Sequence, residues 1–256
     1  MFDPHIFNLF LIGMAIVAVI VFVALYFVDA GYGKFYTPKW GPSLDNHLGW
    51  FLMEVPVFLV MLVLWWFSDR RADSVRLVFL ILFEAHYFHR SFIFPHQLRG
   101  HSRMPFSIVM MGAVFNTLNA FMQGGWIFYV SPADFYPGSW LRSLPFIAGT
   151  IIFLVGMYIN IQSDGIIRNL REPGDTAHYL PKDGMFRYVT SANYFGEFME
   201  WVGFAFLTWS WAGAVFALWT FANLAPRAAR IYELYSREFP DELDTSRVKR
   251  ILPFIY

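Results

Sequence analysis

Long apolar runs constrain this chain more than any other feature. Ile6 to Val28 is apolar apart from Asn8 and exceeds the roughly 20 residues that a helix needs to cross bilayer hydrocarbon. Leu48 to Phe67, about Val75 to Phe94, Met104 to Val130 and Leu144 to Ile161 are of the same kind, and Tyr194 to Ala225 is too long for one span at ordinary tilt. Every backbone N–H and C=O must be paired inside lipid, so such runs are expected to be helices. Composition agrees: 57% hydrophobic and 15% charged residues do not suit a soluble domain. A net charge of zero without a Lys/Arg run argues against nucleic acid as a partner. The chain has no cysteine, which removes disulfides, thiolate metal sites, iron–sulfur clusters and cysteine nucleophiles, and no metal is expected.

Charge placement decides how the last run divides. Breaking it near Thr208-Trp-Ser-Trp-Ala-Gly213, with the N-terminus outside, gathers Lys34, Lys39, Arg99, Arg103, Arg168, Arg171, Lys182, Arg187 and the basic tail from Arg227 on the inside. The outside loops then hold Arg70, Arg71, Arg76 and Arg142, as the positive-inside rule requires. The expectation is an all-α integral membrane protein with seven transmembrane helices, whose cytoplasmic loops close a pocket. Asp3 and His5 precede the first run in place of the basic start of a signal peptide, so that run reads as a retained span. No internal repeat or Gly/Ser tether interrupts 1–256, which reads as one domain and a monomer. Its membrane is the endoplasmic reticulum in a eukaryote or the inner membrane in a bacterium, with the C-terminus cytoplasmic.

Against this apolar background, the stretch from Tyr158 to Trp201 is dense in polar groups. Asn160, Asp164, Arg168 and Arg171 fall within about 80° on one helical face. Asn193, Glu197 and Glu200 form a second face at i, i+4, i+7. Solvated helix ends would explain each residue singly, but carboxylates entering an apolar helix are costly and usually functional. Two guanidinium groups on one face suit phosphate oxygens, with Arg99 as a third candidate, while Asp164, Asn193 and Glu197 suit a ribose or a carboxamide. No Gly-x-Gly-x-x-Gly follows a strand, so a cofactor would lie among helices. Gly31-Tyr32-Gly33 reads best as a turn.

A second constellation sits in mid-span. Glu54 precedes Pro56 in the second run, and Glu84, His86, Tyr87, His89 and Arg90 crowd the third, so part of that helix should face a cavity. A carboxylic acid there is held neutral by the cost of desolvating its charge, and a neutral acid donates a hydrogen bond, as a tyrosine hydroxyl does. Together Glu54 and Tyr87 suit a ketone oxygen; the bland alternative is a structural pair of Glu54 with a neighbour such as His86. Asn116, Asn119 and Gln123 make an amide stripe suited equally to helix adhesion and to pocket lining.

These motifs closely resemble the membrane steroid 5-alpha-reductases. The match includes Asn160-Ile-Gln-Ser-Asp164, Arg168-Asn-Leu-Arg171-Glu-Pro-Gly174, Phe186 through Asn193-Tyr-Phe-Gly196-Glu197-Phe-Met-Glu200-Trp201, Phe51-Leu-Met-Glu54-Val-Pro56 and His86-Tyr87-Phe-His89-Arg90. It runs from about Tyr32 to Tyr256. The resemblance implies NADPH as cofactor, bound by Tyr32, Asn160, Asp164, Arg168, Arg171, Asn193, Glu197 and Tyr235. It also implies that Glu54 and Tyr87 hold a steroid 3-ketone, with Trp50 as a wall for the flat sterol. The substrate cavity would come mainly from helices 1–4 and the cofactor site from about 158–240. Ile231-Tyr232 departs from the histidine pair usual in that family. The activity implied is NADPH-dependent reduction of the C4=C5 bond of 3-oxo-Δ4 steroids. The alternatives are a reductase of another lipid alkene, a membrane methyltransferase using S-adenosylmethionine, or a transporter with an acidic relay.

Overall fold

A computed structural model describes residues 3–28, 31, 33–99, 102–170, 177 and 179–256. Eight α-helices organise them: α1 (Pro4–Ala24), α2 (Asn46–Trp66), α3 (Ser74–Phe88), α4 (Phe94–Gln97), α5 (Phe106–Gly125), α6 (Leu144–Asn169), α7 (Ala192–Thr208) and α8 (Trp211–Glu238). A wide π-helical turn, His89–Ile93, fuses α3 to α4, and a second, Trp126–Val130, extends α5. Five of the resulting rods are long and apolar enough to cross a membrane: Pro4–Ala24, Asn46–Trp66, Ser74–Gln97, Phe106–Val130 and Leu144–Asn169. Their outward faces suit lipid. On α1, Ile6, Leu9, Ile12, Ile16 and Ile20 are exposed, while Phe7, Leu11, Met14 and Ala18 turn inward.

Local chemistry sets the helix starts. The carboxylates of Asp3, Asp45 and Asp73 accept from backbone N–H groups in the first turns of α1, α2 and α3, satisfying donors that have no intrahelical partner. Ser143 and Ser210 do the same for α6 and α8. The expected break in the last apolar run falls at Trp209, whose left-handed backbone (φ 45°, ψ 50°) ends α7 before α8 begins. Pro56 is absorbed within a continuous α2. α6 runs beyond the sequence expectation to Asn169, so Asp164 and Arg168 stand on the same rod as the apolar span.

Two contacts fix the site. Strand β1 (Ser43–Asp45) pairs antiparallel with β2 (Arg103–Pro105), joining the starts of α2 and α5. α6 and α7 run antiparallel in backbone contact through Gly149 and Gly156 on one and Gly196 and Gly203 on the other. A methyl added at Gly156 would stand 2.7 Å from the Gly196 carbonyl oxygen and 2.8 Å from the Glu200 Cα. Only glycine permits that approach, the packing that serves helices in lipid, where no hydrophobic force draws them together. The core is aromatic: Trp201, almost wholly buried, meets Phe216 edge-on at 4.6 Å and also packs on Phe83, Phe153 and Phe204.

Candidate active site

The helices enclose a cavity of about 400 Å³. Trp50, Glu54, Tyr87, Arg99, Asp164, Arg168, Asn193, Glu197 and Tyr235, all singled out from sequence, line it together. Asn160 lies behind the wall, where its amide donates to the Asn193 carbonyl at 2.9 Å and ties α6 to the start of α7. Tyr32 and Arg171 lie outside the described residues.

Glu54 reaches the cavity from mid-α2. Its Oε2 accepts from Asn116 Nδ2 at 3.0 Å, and the same amide donates to the Met53 carbonyl at 2.8 Å. Its Oε1 has no partner among the described residues. Tyr87 is held by ring contacts to Phe83 (4.7 Å) and Trp201 (5.6 Å). Its hydroxyl oxygen accepts from Asn119 Nδ2 at 2.9 Å, leaving the phenolic hydrogen without an acceptor among the described residues. Gln123 completes the stripe, donating to Asn119 Oδ1 at 3.4 Å and to the Ala212 carbonyl at 3.0 Å. Of the amide stripe, Asn116 lines the cavity, while Asn119 and Gln123 stand behind the wall and join helices through Tyr87 and the Ala212 carbonyl.

His86 is not the partner of Glu54. Its Nδ1 lies 2.9 Å from Oε1 of Glu200, which is fully buried and faces α3 instead of the cavity. The other acids of that region do reach the cavity. Asp164 takes Asn193 Nδ2 at 3.0 Å on one oxygen and Arg90 Nη1 at 3.3 Å on the other. Arg90 also stacks over Phe94 at 4.2 Å and Trp50 at 5.0 Å, so one buried guanidinium joins the Glu54 side to the Asp164 side. Near the end of α6, Arg168 donates to Gln97 Oε1 at 2.6 Å and Arg99 to the Arg168 carbonyl at 3.3 Å. From α8, Arg227 donates to the Tyr194 hydroxyl at 2.7 Å, and Ile231 lines the wall.

Arg90 belongs to the cluster expected from sequence to face a cavity, and Arg227 was legible as a charge at the foot of an apolar helix, but other lining residues escaped the sequence reading. Phe216 and Trp219 carried no signal, because aromatic residues on an apolar helix look like core. Donors for anions stand with acceptors for hydroxyls at one end of the cavity, and a carboxyl and a phenol with uncommitted hydrogen-bonding capacity stand on the wall of the same cavity. This is an arrangement for holding two polar ligands among membrane helices.

Comparison with known proteins specifies the class. The family model of 3-oxo-5-alpha-steroid 4-dehydrogenase matches residues 102–256. The steroid 5-alpha-reductase of Gossypium hirsutum is 36% identical, covering 99% of this chain and 99% of that protein. The 3-oxo-5-alpha-steroid 4-dehydrogenase 2 of Sus scrofa is 38% identical over 96% of each chain, and the human type 1 protein is 37% identical over 88% of this chain and 86% of its own length. The chain belongs to the steroid 5-alpha-reductase family, a membrane oxidoreductase family of steroid metabolism.

Proposed function

We propose that this protein reduces the C4=C5 double bond of 3-oxo-Δ4 steroids such as progesterone or testosterone, giving 5-alpha products, with NADPH as reductant. The residues suit that cofactor: Arg99, Arg168 and Arg227 offer fixed cations, and Asp164, Asn193, Glu197 and Tyr235 offer polar groups for ribose and carboxamide. Asn160 would support the site by fixing Asn193, and Arg171 and Tyr32 belong to the same set by their place in the motifs. NADPH, when bound, supplies a hydride for the β-carbon of the enone, C5.

The chain's own residues manage the charge. As a hydride arrives at C5, the C4=C5 electrons move toward C3 and negative charge builds on the ketone oxygen. Tyr87 donates its hydroxyl to that oxygen, and Glu54 donates as a neutral acid. A proton then reaches C4 and completes the two-hydrogen addition. Asn116 and Asn119 position the two donors, and Trp50 walls the flat ring system. Preorganised donors in a dry site act without reorganisation, which is why such groups dominate catalysis of this kind.

The observation that carries the reading is the hydrogen bond from Asn119 to Tyr87, because it occupies the phenol oxygen and leaves the hydrogen to donate. The enzyme is proposed to act as a monomer with seven spans, the last two supplied by α7 and the apolar half of α8. Its N-terminus would lie outside, and the loops bearing the arginines in the cytoplasm. The test is purified protein with NADPH and progesterone, followed by mass spectrometry for a product two hydrogens heavier. Tyr87→Phe should slow that turnover by about 10²–10³ and leave NADPH affinity unchanged. Wild-type turnover in Tyr87→Phe, with chemistry rate-limiting, would refute the role of the hydroxyl.

A further inference from the structure

Residues 251–256 form a tight loop that presents apolar side chains outward. The N–H groups of Ile251 and Leu252 donate to the Tyr256 carbonyl at 2.8 and 2.7 Å, and the Tyr256 N–H donates to the Leu252 carbonyl at 3.0 Å. Within the loop Phe254 has φ 67°, a left-handed backbone that a bulky residue adopts only where its surroundings impose it. The result is exposure: Phe254 meets the Tyr188 ring at 5.5 Å yet is 75% exposed, and Ile255 is 80% exposed. In water two such neighbours are a cost, because burying either would be favourable.

The depth of the loop says what covers them. α1 has 21 residues, about 32 Å of helix against about 30 Å of hydrocarbon, so Tyr26, two residues past its end, stands at the membrane surface. The hydroxyls of Tyr26 and Tyr256 share a hydrogen bond of 2.8 Å. Leu252 and Tyr256 also pack, together with Phe22 of α1, on Leu224, Ala225 and Ala228 of α8. The loop is thereby fixed beside α1 at the level where hydrocarbon gives way to headgroups, and Phe27 is exposed at that same level. Cations stand there too: Arg230 donates to the Tyr26 carbonyl at 3.0 Å, and Arg250 stacks on Tyr256 at 4.7 Å. We propose that this loop is a membrane anchor, with Phe254 and Ile255 entering the boundary between acyl chains and headgroups while Arg230 and Arg250 face lipid phosphates. The anchor connects to the cavity. The carbonyls of Lys249 and Arg250 accept from the N–H groups of Thr190 and Ser191 at 2.8 and 3.2 Å, and Thr190 lines the cavity just before α7. The bilayer thus holds one wall of the site in place. This inference rests on α1 crossing the membrane and is independent of what the cavity binds.

The experiment places single cysteines in the full chain, which has none of its own, at Ile255, at exposed Ser246 and at Ile20 on the outward face of α1. Each is labelled with a nitroxide in vesicles of phosphatidylcholine and phosphatidylserine. Collisions with oxygen, which concentrates in lipid, are then compared with collisions with a water-soluble nickel chelate. The label at 255 should favour oxygen, as the one at 20 should, and the label at 246 should favour the chelate. Ile255→Cys replaces a side chain that stands largely clear of the protein, so the fold is not at risk. Phe254→Gly accepts the left-handed backbone and removes only the ring; added to Ile255→Cys, it should shift the label toward the chelate. A label at 255 that reads like the one at 246, or no shift with Phe254→Gly, would overturn the anchor. Spin–spin broadening that grows with the protein-to-lipid ratio would overturn it in favour of a contact between copies. A water-exposed label at 20 would remove the span and the anchor together.

Discussion

Gly156→Ala tests the contact that positions the polar half of the cavity. The added methyl would lie 2.7 Å from the Gly196 oxygen and 2.8 Å from the Glu200 Cα, where ordinary contact begins at 3.4 Å. These are backbone atoms, the Glu200 nitrogen lies closer still, and none can rotate aside, so α7 must retreat from α6 by at least about 0.7 Å. Overpacking of this kind costs about 1–3 kcal/mol. At about 2–4 °C per kcal/mol for a chain of this size, the midpoint of thermal unfolding in detergent should fall by about 2–12 °C. The displacement also reaches the site, because Asn193 and Glu197 ride on α7 while Asp164 rides on α6. A shift of 0.7 Å would stretch the 3.0 Å bond from Asn193 to Asp164 beyond hydrogen-bonding range. Turnover should drop with stability, since misplacement by about 1 Å can cost 10²-fold. Gly13→Ala is the control, as nothing lies within 4 Å of a methyl there. If Gly156→Ala unfolds where Gly13→Ala does and turns over like wild type, the helices are not in backbone contact and the argument fails.

Three further expectations follow from single sites. Arg76 is nearly fully buried and donates to Asp73, the carbonyls of Ile127 and Pro132, and Ser131 Oγ, so Arg76→Ala should cost about 3–5 kcal/mol, read by thermal unfolding. Arg76→Lys should recover little of it, because an ammonium cannot reproduce the planar fork. Glu54→Gln keeps a donor beside Asn116 and should retain more steroid turnover than Glu54→Ala; equal loss in both would mean that the acid works through charge or proton transfer. Single cysteines at Lys182 and Ser246, in a chain with no native cysteine, should label with a membrane-impermeant reagent from the same, cytoplasmic, side; labelling from opposite sides would refute seven spans.

The sequence by itself determined the class. Apolar runs of spanning length admit only helices in lipid, and composition excluded the soluble alternatives. The break between α7 and α8 was legible because the run outlasted a bilayer and charge had to be distributed. Spacing on a helix brought Asp164 and Arg168 together, since both belong to one rod and local periodicity is enough to align them. Tertiary structure decided what periodicity cannot reach. Asn116 and Asn119 carry the same pattern whether they join helices or orient a carboxyl, and only the meeting of α5 with α2 and α3 assigned them to Glu54 and Tyr87. His86 was assignable to Glu200 only once the glycine seam had drawn α7 against α6 and set its buried face toward α3. Each of these outcomes depends on a partner far away in the chain, and one-dimensional spacing holds no information about distances between helices.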